Sequence, residues 1–267
     1  MPVSTPKFQV DNLVYQFQPD YILHLASFSS VAYGWKNPVT SFQNNTNIFL
    51  NLLEKVRALD LQCRILSIGS SEEYGNVPEK DLPLREDHGL KPVSPYAVAR
   101  VAQEMLSRVY VEGYGLDIVM TRSFNHIGPR QRDVFAVPSF ARQMVQMKRN
   151  AEKSGRLVAG DVEIVRDFLD VRDVVAAYHA LFKKGERGAV YNVCSGSGIR
   201  LKEVIDRLAV ILGLKVEVST SDLLIRPSDN RIVIGSNEKL RKATGWIAAY
   251  PIDRSLADIV RHWEAVL

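Results

Sequence analysis

The stretch RILSIGSSEEYG, residues 64–75, joins a strand to a polar turn. Its first six residues form a short, largely apolar run, which predicts a buried strand. Similar runs lie on either side of it in the sequence, YILHLA at 21–26 and DIVMTRSF at 117–124. We expect all three runs to be strands of one sheet.

The segments between these runs predict helices. From Pro38 to about Leu59, apolar residues recur at helical spacing. Ser94 and Pro95 suit the N-cap and first turn of a second helix, which ends near Tyr114. Strands that alternate with helices in this way predict an α/β fold, with a parallel sheet covered by helices on its faces.

The second half of the chain has a different pattern, in which shorter helical and extended segments alternate. We therefore place a boundary near Asn125, between residues 1–124 and residues 125–267. The second part is expected to be a smaller α/β portion that interleaves with the first.

Composition excludes several classes of protein. With 46% hydrophobic and 24% charged residues, the 267-residue chain is neither disordered nor fibrous in type. Its net charge of +4 is modest and its basic residues are scattered, which argues against nucleic acid as a partner. Cys63 and Cys194 lie far apart without a CxxC or His pairing, so neither a metal site nor a disulfide framework is expected, and a cytoplasmic location fits. Residues 1–7 lack the apolar core of a signal peptide and no apolar run approaches roughly 18 residues, so no membrane association is expected.

Polar side chains follow two of the predicted strands, at the sheet edge where open α/β folds place reactive groups. The Ser70 hydroxyl is suited to hold a substrate carbonyl oxygen, and Glu72 to act as a base or to bind sugar hydroxyls. Asn125 follows another strand at the same edge and offers both a donor and an acceptor. The alternative is a turn in which the serines only satisfy backbone groups.

Tyr96 and Arg100 lie four residues apart on a predicted helix and therefore share one face. A phenol has a pKa of about 10 and exchanges a proton near neutrality only beside a cation that stabilises its anion. Arg100 supplies such a charge, although its planar guanidinium is larger than an ammonium group. Taken alone, such a pair is more often a solvated helix face.

Arg166 and Arg226 lie in segments that are otherwise apolar or turn-like. The guanidinium fork matches phosphate oxygens, so both are candidates to hold a diphosphate. Ion pairs with nearby aspartates are the alternative.

Seven segments, in this order, resemble the extended short-chain dehydrogenase/reductase family of nucleotide-sugar epimerases, dehydratases and reductases. They are HLAS (24–27), SSEEYG (70–75), SPYAVAR (94–100), FNHIGP (124–129), RDFLDVRD (166–173), YNVCSG (191–196) and RPSD (226–229). The resemblance extends from about Asp11 to the C-terminus. The segments IGSSEEYG, FNHIGP and YNVCSG are most similar in sequence to those of the reductases that form GDP-rhamnose from a GDP-linked 6-deoxy-4-keto-mannose.

The resemblance implies a Rossmann-like dinucleotide-binding part over 1–124 and a mainly substrate-binding part over 125–267. It implies hydride transfer from NAD(P)H to C4 of a keto-sugar, with a proton from Tyr96 and with Ser70 holding the oxygen. The implied cofactor-binding residues are Leu25, Ala26, Ser27, Tyr96 and Arg100. The implied substrate-binding residues are Ser71, Glu72, Asn125, Arg166, Arg226 and Asp229. The implied partners are a GDP-linked deoxyhexose and a second copy of the chain, packed through the two long helices.

Two departures from the family leave alternatives open. The sequence begins where the family would be entering its third or fourth strand, so we expect the first βαβ portion with its glycine-rich turn to be missing. Arg100 stands where the family has lysine. The expected function is NAD(P)-dependent reduction of a 4-keto group on a GDP-deoxyhexose. The alternatives are a non-catalytic relative that binds a nucleotide sugar or pairs with a complete paralogue, and a GDP-mannose 4,6-dehydratase or epimerase.

Overall fold

The computed structural model describes residues 14–225 and 230–267. Its strands are β1 (Tyr21–His24), β2 (Arg64–Ser70), β3 (Asp117–Ser123), β4 (Asn125–Ile127), β5 (Ser154–Ala159), β6 (Val165–Asp170), β7 (Val190–Val193), β8 (Gly198–Arg200), β9 (Lys215–Thr220) and β10 (Ile232–Val233). Its helices are α1 (Val31–Lys36), α2 (Pro38–Ala58), α3 (Pro95–Tyr114), α4 (Ala136–Arg149), α5 (Val171–Lys184), α6 (Leu201–Leu212), α7 (Glu238–Thr244) and α8 (Ile252–Val266). Short 3₁₀ turns span Ser71–Tyr74, Glu79–Asp81 and Asp222–Leu224.

The main sheet is parallel and has the strand order β1-β2-β3-β7. The predicted α/β class is therefore confirmed. Successive residues of a strand point to opposite faces, so Ile65 and Leu66 of β2 enter different cores. Ile65 packs with Leu53 of α2 on one face, and Leu66 packs with Leu181 of α5 on the other. Helices thus cover both faces, as the apolar strands require.

A second core lies outside the main sheet. Side chains of α4, α6 and α8, such as Met144, Leu208 and Ile259, pack together there around β5. β5 pairs with β9, while β6 pairs with β4 and β10 in parallel and with β8 in antiparallel orientation. The predicted boundary near Asn125 falls at the start of β4 and stays a prediction.

The parallel strands bring distant parts of the sequence to one edge of the sheet. β2 and β3 run in register, with Ser70 opposite Ser123, so the segments that follow these two strands leave the sheet at the same level. β1 ends at the same edge, with His24 opposite Ser67. Loops after the carboxyl ends of these strands are where open α/β sheets bind their ligands. Within 14–225 and 230–267, no helix is long and apolar enough to cross a membrane.

Candidate active site

The turn after β2 is closed by its own side chains. The Ser70 hydroxyl oxygen accepts the Glu72 backbone N–H at 3.3 Å, and the Ser70 N–H donates to Glu73 Oε1 at 2.7 Å. This reciprocal capping fixes the turn as it leaves the strand. Ser70 and Ser71 are buried and Glu72 is half-buried. Gly75 ends the turn at φ 64°, where a side chain would collide with the backbone of a neighbouring loop.

Tyr96 and Arg100 form a buried pair on α3. Ser94 caps this helix, because its hydroxyl accepts the Ala97 N–H at 3.1 Å, and Pro95 follows as the first helical residue. Arg100 Nε donates to the Tyr96 hydroxyl at 3.1 Å. Both residues are only 6% exposed, so the alternative of a solvated helix face is wrong.

The other guanidinium nitrogens of Arg100 bind three more groups. Nη1 donates to the Ile68 carbonyl at 2.9 Å and to Gln103 Oε1 at 2.8 Å, and Nη2 donates to the Ser27 hydroxyl at 2.6 Å. Arg100 therefore ties α3 to strand β2 and to the loop after β1. The Ile68 contact lies two residues before Ser70, so the Tyr96 pair and the serine turn meet at the same strand end.

The end of β1 and the loop after it combine a buried imidazole with exposed residues. His24 packs against Phe49, with ring centroids 4.8 Å apart. Burial, with a smaller contribution from the charge of Arg100, lowers the pKa of His24 to about 4. The imidazole is therefore neutral at pH 7, and Arg100 supplies positive charge beside the phenol. Leu25 and Ala26 are exposed, whereas Ser27 is half-buried against Arg100.

Two of the predicted substrate-binding residues lie on β4 and β6. Asn125 is half-buried and pairs in register with Phe168 of β6. Arg166, two residues earlier in β6, donates from Nη1 to the carbonyl of Asn230 at 2.6 Å. Asn230 in turn donates from Nδ2 to the Gly75 carbonyl at 2.6 Å. Asn230 thus links Arg166 to the serine turn, a connection that the sequence did not predict. Arg226 and Asp229 lie outside the described residues.

A polar stripe on the buried face of α3 was also not predicted. Gln103, Glu104 and Ser107 follow Arg100 by three, four and seven residues, so they share its side of the helix. All three are buried. Gln103 donates to the Ser67 hydroxyl at 2.9 Å, which bonds α3 to β2 beneath the site. Polar residues at helical spacing from Tyr96 were the signal that could have revealed this stripe.

Tyr178 contributes a second buried phenol near the site. Its hydroxyl lies 2.8 Å from that of Ser123, the register partner of Ser70. Burial raises the pKa of Tyr178 to about 12, so this phenol keeps its proton at neutral pH. Among the residues that the structure describes, no cluster of His, Cys, Asp and Glu could hold a metal ion.

Sequence comparison gives a consistent set of relatives. Residues 5–259 match the family described as GDP-mannose 4,6 dehydratase. The chain is 39% identical over 247 residues to GDP-6-deoxy-D-mannose reductase of Pseudomonas aeruginosa, covering 92% of this chain and 81% of that protein. It is 26% identical to GDP-mannose 4,6-dehydratase of Yersinia enterocolitica, covering 93% of this chain and 74% of that protein.

Solved structures show the same fold. The structure of RMD from Pseudomonas aeruginosa complexed with NADPH superposes with a TM-score of 0.91 at 37% identity, covering 100% of this chain and 90% of that one. UDP-glucose 4-epimerase of Thermus thermophilus in complex with NAD superposes with a TM-score of 0.86 at 29% identity, covering 98% of this chain and 83% of that one.

Proposed function

We propose that this chain, which belongs to the GDP-mannose 4,6-dehydratase family, reduces the 4-keto group of a GDP-linked 6-deoxyhexose with NADPH or NADH. The observation that carries the proposal is the buried Tyr96–Arg100 hydrogen bond beside the Ser70 turn. Identity to the reductase of Pseudomonas aeruginosa, at 39%, exceeds identity to the dehydratase of Yersinia enterocolitica, at 26%, and this supports reduction over dehydration.

The residues at the carboxyl ends of β1 and β2 fit the nicotinamide end of a dinucleotide. The Arg100 guanidinium donates to both the Tyr96 phenol and the Ser27 hydroxyl, and groups of these types bind ribose hydroxyls. Leu25 and Ala26 offer exposed apolar surface beside them. When bound, the reduced nicotinamide supplies hydride. The NADPH and NAD of the related structures support this choice of cofactor.

The protein groups supply the proton and hold the oxygen. As hydride arrives at C4, negative charge develops on the carbonyl oxygen, and the Tyr96 hydroxyl gives its proton to that oxygen. The Arg100 guanidinium stabilises the phenolate that remains, until water returns a proton. The Ser70 oxygen already accepts the Glu72 N–H, so its own hydrogen is directed to a different acceptor, the substrate oxygen.

The nucleotide and sugar are assigned to the other side of the site. Arg166 and Arg226 suit the diphosphate, because the guanidinium fork matches its oxygens. Asn125, Ser71 and Glu72 suit sugar hydroxyls, and Asp229 suits the ribose. The bonds from Arg166 through Asn230 to Gly75 support a common site for the diphosphate and the sugar, since they tie β6 to the serine turn.

Replacement of the acid tests the proposal. We expect Tyr96→Phe to lower kcat for the 4-keto sugar by about 10²- to 10⁴-fold, because it removes the proton donor. Loss of NADPH absorbance measures the rate. Tyr114→Phe, the same change at an exposed position of α3, is the matched control and should leave kcat unchanged. A Tyr96→Phe variant with the parent rate would contradict the assignment.

Titration calorimetry and product analysis separate the other functions. Binding of GDP-mannose without binding of NADPH or NADH would instead support a non-catalytic sugar-nucleotide binder. Conversion of GDP-mannose itself to the 4-keto-6-deoxy product would support a dehydratase, for which Glu72 provides a carboxylate in the turn. Formation of a 4-hydroxy product from the 4-keto sugar, with one NADPH consumed for each product, is the expected result.

A homodimer through α2 and α3 belongs to the same proposal. Val98, Met105 and Val109 are exposed and recur along one side of α3, and Phe42 of α2 is also exposed. An apolar stripe on two neighbouring helices favours burial against a second copy.

A further inference from the structure

We propose that Glu73 is a positioning residue that holds Ser70 in the orientation needed to bind the substrate oxygen. The inference rests on the reductase function proposed above, in which Ser70 touches the reacting carbonyl. Glu73 itself touches neither substrate nor cofactor, because its side chain is fully buried behind the turn. Its effect reaches the reaction only through the backbone of Ser70.

The contact between the two residues is short and buried. Glu73 Oε1 accepts the Ser70 N–H at 2.7 Å, while the Ser70 hydroxyl oxygen accepts the Glu72 N–H at 3.3 Å. The first bond fixes the backbone of Ser70, and the second restricts rotation of its side chain. The hydroxyl therefore has a defined direction before any substrate binds, which is the condition for efficient stabilisation of a developing oxyanion.

Gly69 makes room for the Glu73 carboxyl group. A Cβ atom at position 69 would lie 2.4 Å from Glu73 Oε1 and 2.4 Å from the Thr121 carbonyl oxygen. No real side chain fits at that distance. The glycine therefore allows the carboxyl to fold back against β2 and reach the N–H of Ser70.

A buried charge pair supports the other side of Glu73. Arg122 on β3 donates to both carboxylate oxygens of Glu104 on α3, at 2.9 Å each, and packs 4.8 Å from the ring centroid of Tyr74. Its Nε lies 4.0 Å from Glu73 Oε2. Elements α3, β3 and the turn thus all contribute to the surroundings of this carboxyl.

The pair also explains why a buried carboxyl is tolerated here. Burial, together with the nearby Glu104 carboxylate, raises the pKa of Glu73 to about 8. Glu73 is then largely a neutral acid at pH 7, and Arg122 pairs with the carboxylate of Glu104, which Arg108 also contacts from a partly exposed position. A neutral acid still accepts the Ser70 N–H through its carbonyl oxygen. Glutamine has the same shape and the same acceptor, which makes Glu73→Gln the conservative variant.

Steady-state kinetics of two variants test the inference. We expect Glu73→Leu, which removes the acceptor, to lower kcat by about 10- to 100-fold with little change in either KM, because the serine is misplaced while substrate binding is retained. Glu73→Gln should restore kcat to within about threefold of the parent value, since it keeps the acceptor. Equal kcat losses in both variants, or no loss in Glu73→Leu, would overturn the inference.

Asp173 provides a matched control for a purely structural effect. Its buried carboxylate accepts the N–H groups of Ala249 and Tyr250, at 2.9 Å each, away from the serine turn. Asp173→Leu should lower the melting temperature. At a temperature where the variant is folded, its kcat should equal that of the parent chain within assay error. A kcat loss in this control equal to that of Glu73→Leu would overturn the inference.

Amide hydrogen exchange keeps this test independent of the reductase assay. In the parent chain, the Ser70 N–H should be protected by its bond to Glu73. The Leu variant should lose this protection and the Gln variant should keep it. If the parent chain shows no ketoreductase activity, the proposed function fails, and exchange alone decides on Glu73. Unchanged protection in the Leu variant would overturn the positioning role.

Discussion

Replacement of Arg100 by lysine probes the contact on which the site depends. The guanidinium makes four hydrogen bonds, to Tyr96, Ile68, Gln103 and Ser27. A lysine ammonium has three donors at a single nitrogen and cannot reach groups on opposite edges of the guanidinium plane. The Ile68 carbonyl keeps a second donor, Gln103 Nε2, at 3.0 Å. Gln103 Oε1 would be left without the Arg100 donor in a buried position.

The expected loss of stability follows from that orphaned acceptor. An unsatisfied buried acceptor costs about 1–3 kcal/mol in the free energy of unfolding. Taking about 2 kcal/mol, the melting temperature should fall by about 4–8 °C for a chain of this size. Arg108→Lys, on the same helix but at a partly exposed ion pair with Glu104, is the control and should change stability by less than about 1 kcal/mol.

The rate should respond differently from the stability. Lysine keeps a positive charge near Tyr96 and is more compact, so we expect kcat of Arg100→Lys to equal or exceed the parent value. Arg100→Met removes the positive charge beside the Tyr96 hydroxyl, so the phenolate left by proton transfer loses its stabilising cation and kcat should fall by about 10²- to 10³-fold. Urea denaturation and the NADPH assay measure the two effects.

Two results would refute this reasoning. If Arg100→Lys is as stable as the parent chain, the bonds to Gln103 and Ser27 do not contribute to stability. If Arg100→Met keeps the parent kcat, the cation is not what stabilises the Tyr96 phenolate.

Three further predictions concern the pH response, a loop anchor and assembly. The pKa of His24 in the folded chain is about 4, below the ordinary value of 6.5, so the unfolded chain binds more protons between these two pH values. The free energy of unfolding should therefore fall by up to about 3 kcal/mol as the pH is lowered through this window. Urea denaturation at pH 7 and pH 4.5 measures this loss, which should be smaller in His24→Leu. Asp167 accepts the backbone N–H groups of Ser195, Gly196 and Gly235 in a fully buried position. In Asp167→Asn, the amide NH₂ group would face one of these backbone N–H groups, so the free energy of unfolding should fall by about 1–3 kcal/mol. Urea denaturation measures this change, and an unchanged denaturation midpoint would count against these bonds. Val98→Glu should shift sedimentation at micromolar concentration from dimer to monomer, and a monomeric parent chain would contradict the proposed interface.

Local patterns in the sequence determined the secondary structure of the site. The runs at 64–69 and 117–124 became β2 and β3, because the middle of a strand that is covered on both faces is largely apolar. Ser94 and Pro95 marked the start of α3 correctly, since capping and the first-turn proline are decided by immediate neighbours. Because β2 and β3 are parallel and in register, Ser70 leaves the main sheet opposite Ser123, and Asn125 follows two residues later as the first residue of β4.

The partners of the polar side chains were decided only by the tertiary structure. Arg100 binds Ser27, which is 73 residues away in the sequence, and Asn230 binds Gly75 across 155 residues. Glu73 and Arg122 meet because β2 and β3 are neighbours, a pairing that no local pattern specifies. Helical spacing shows that side chains share a face, but not what that face meets. The sequence alone therefore determined strands β1 to β3, helices α2 and α3 and the residue types proposed for the site, whereas packing of distant elements decided which donors reach which acceptors.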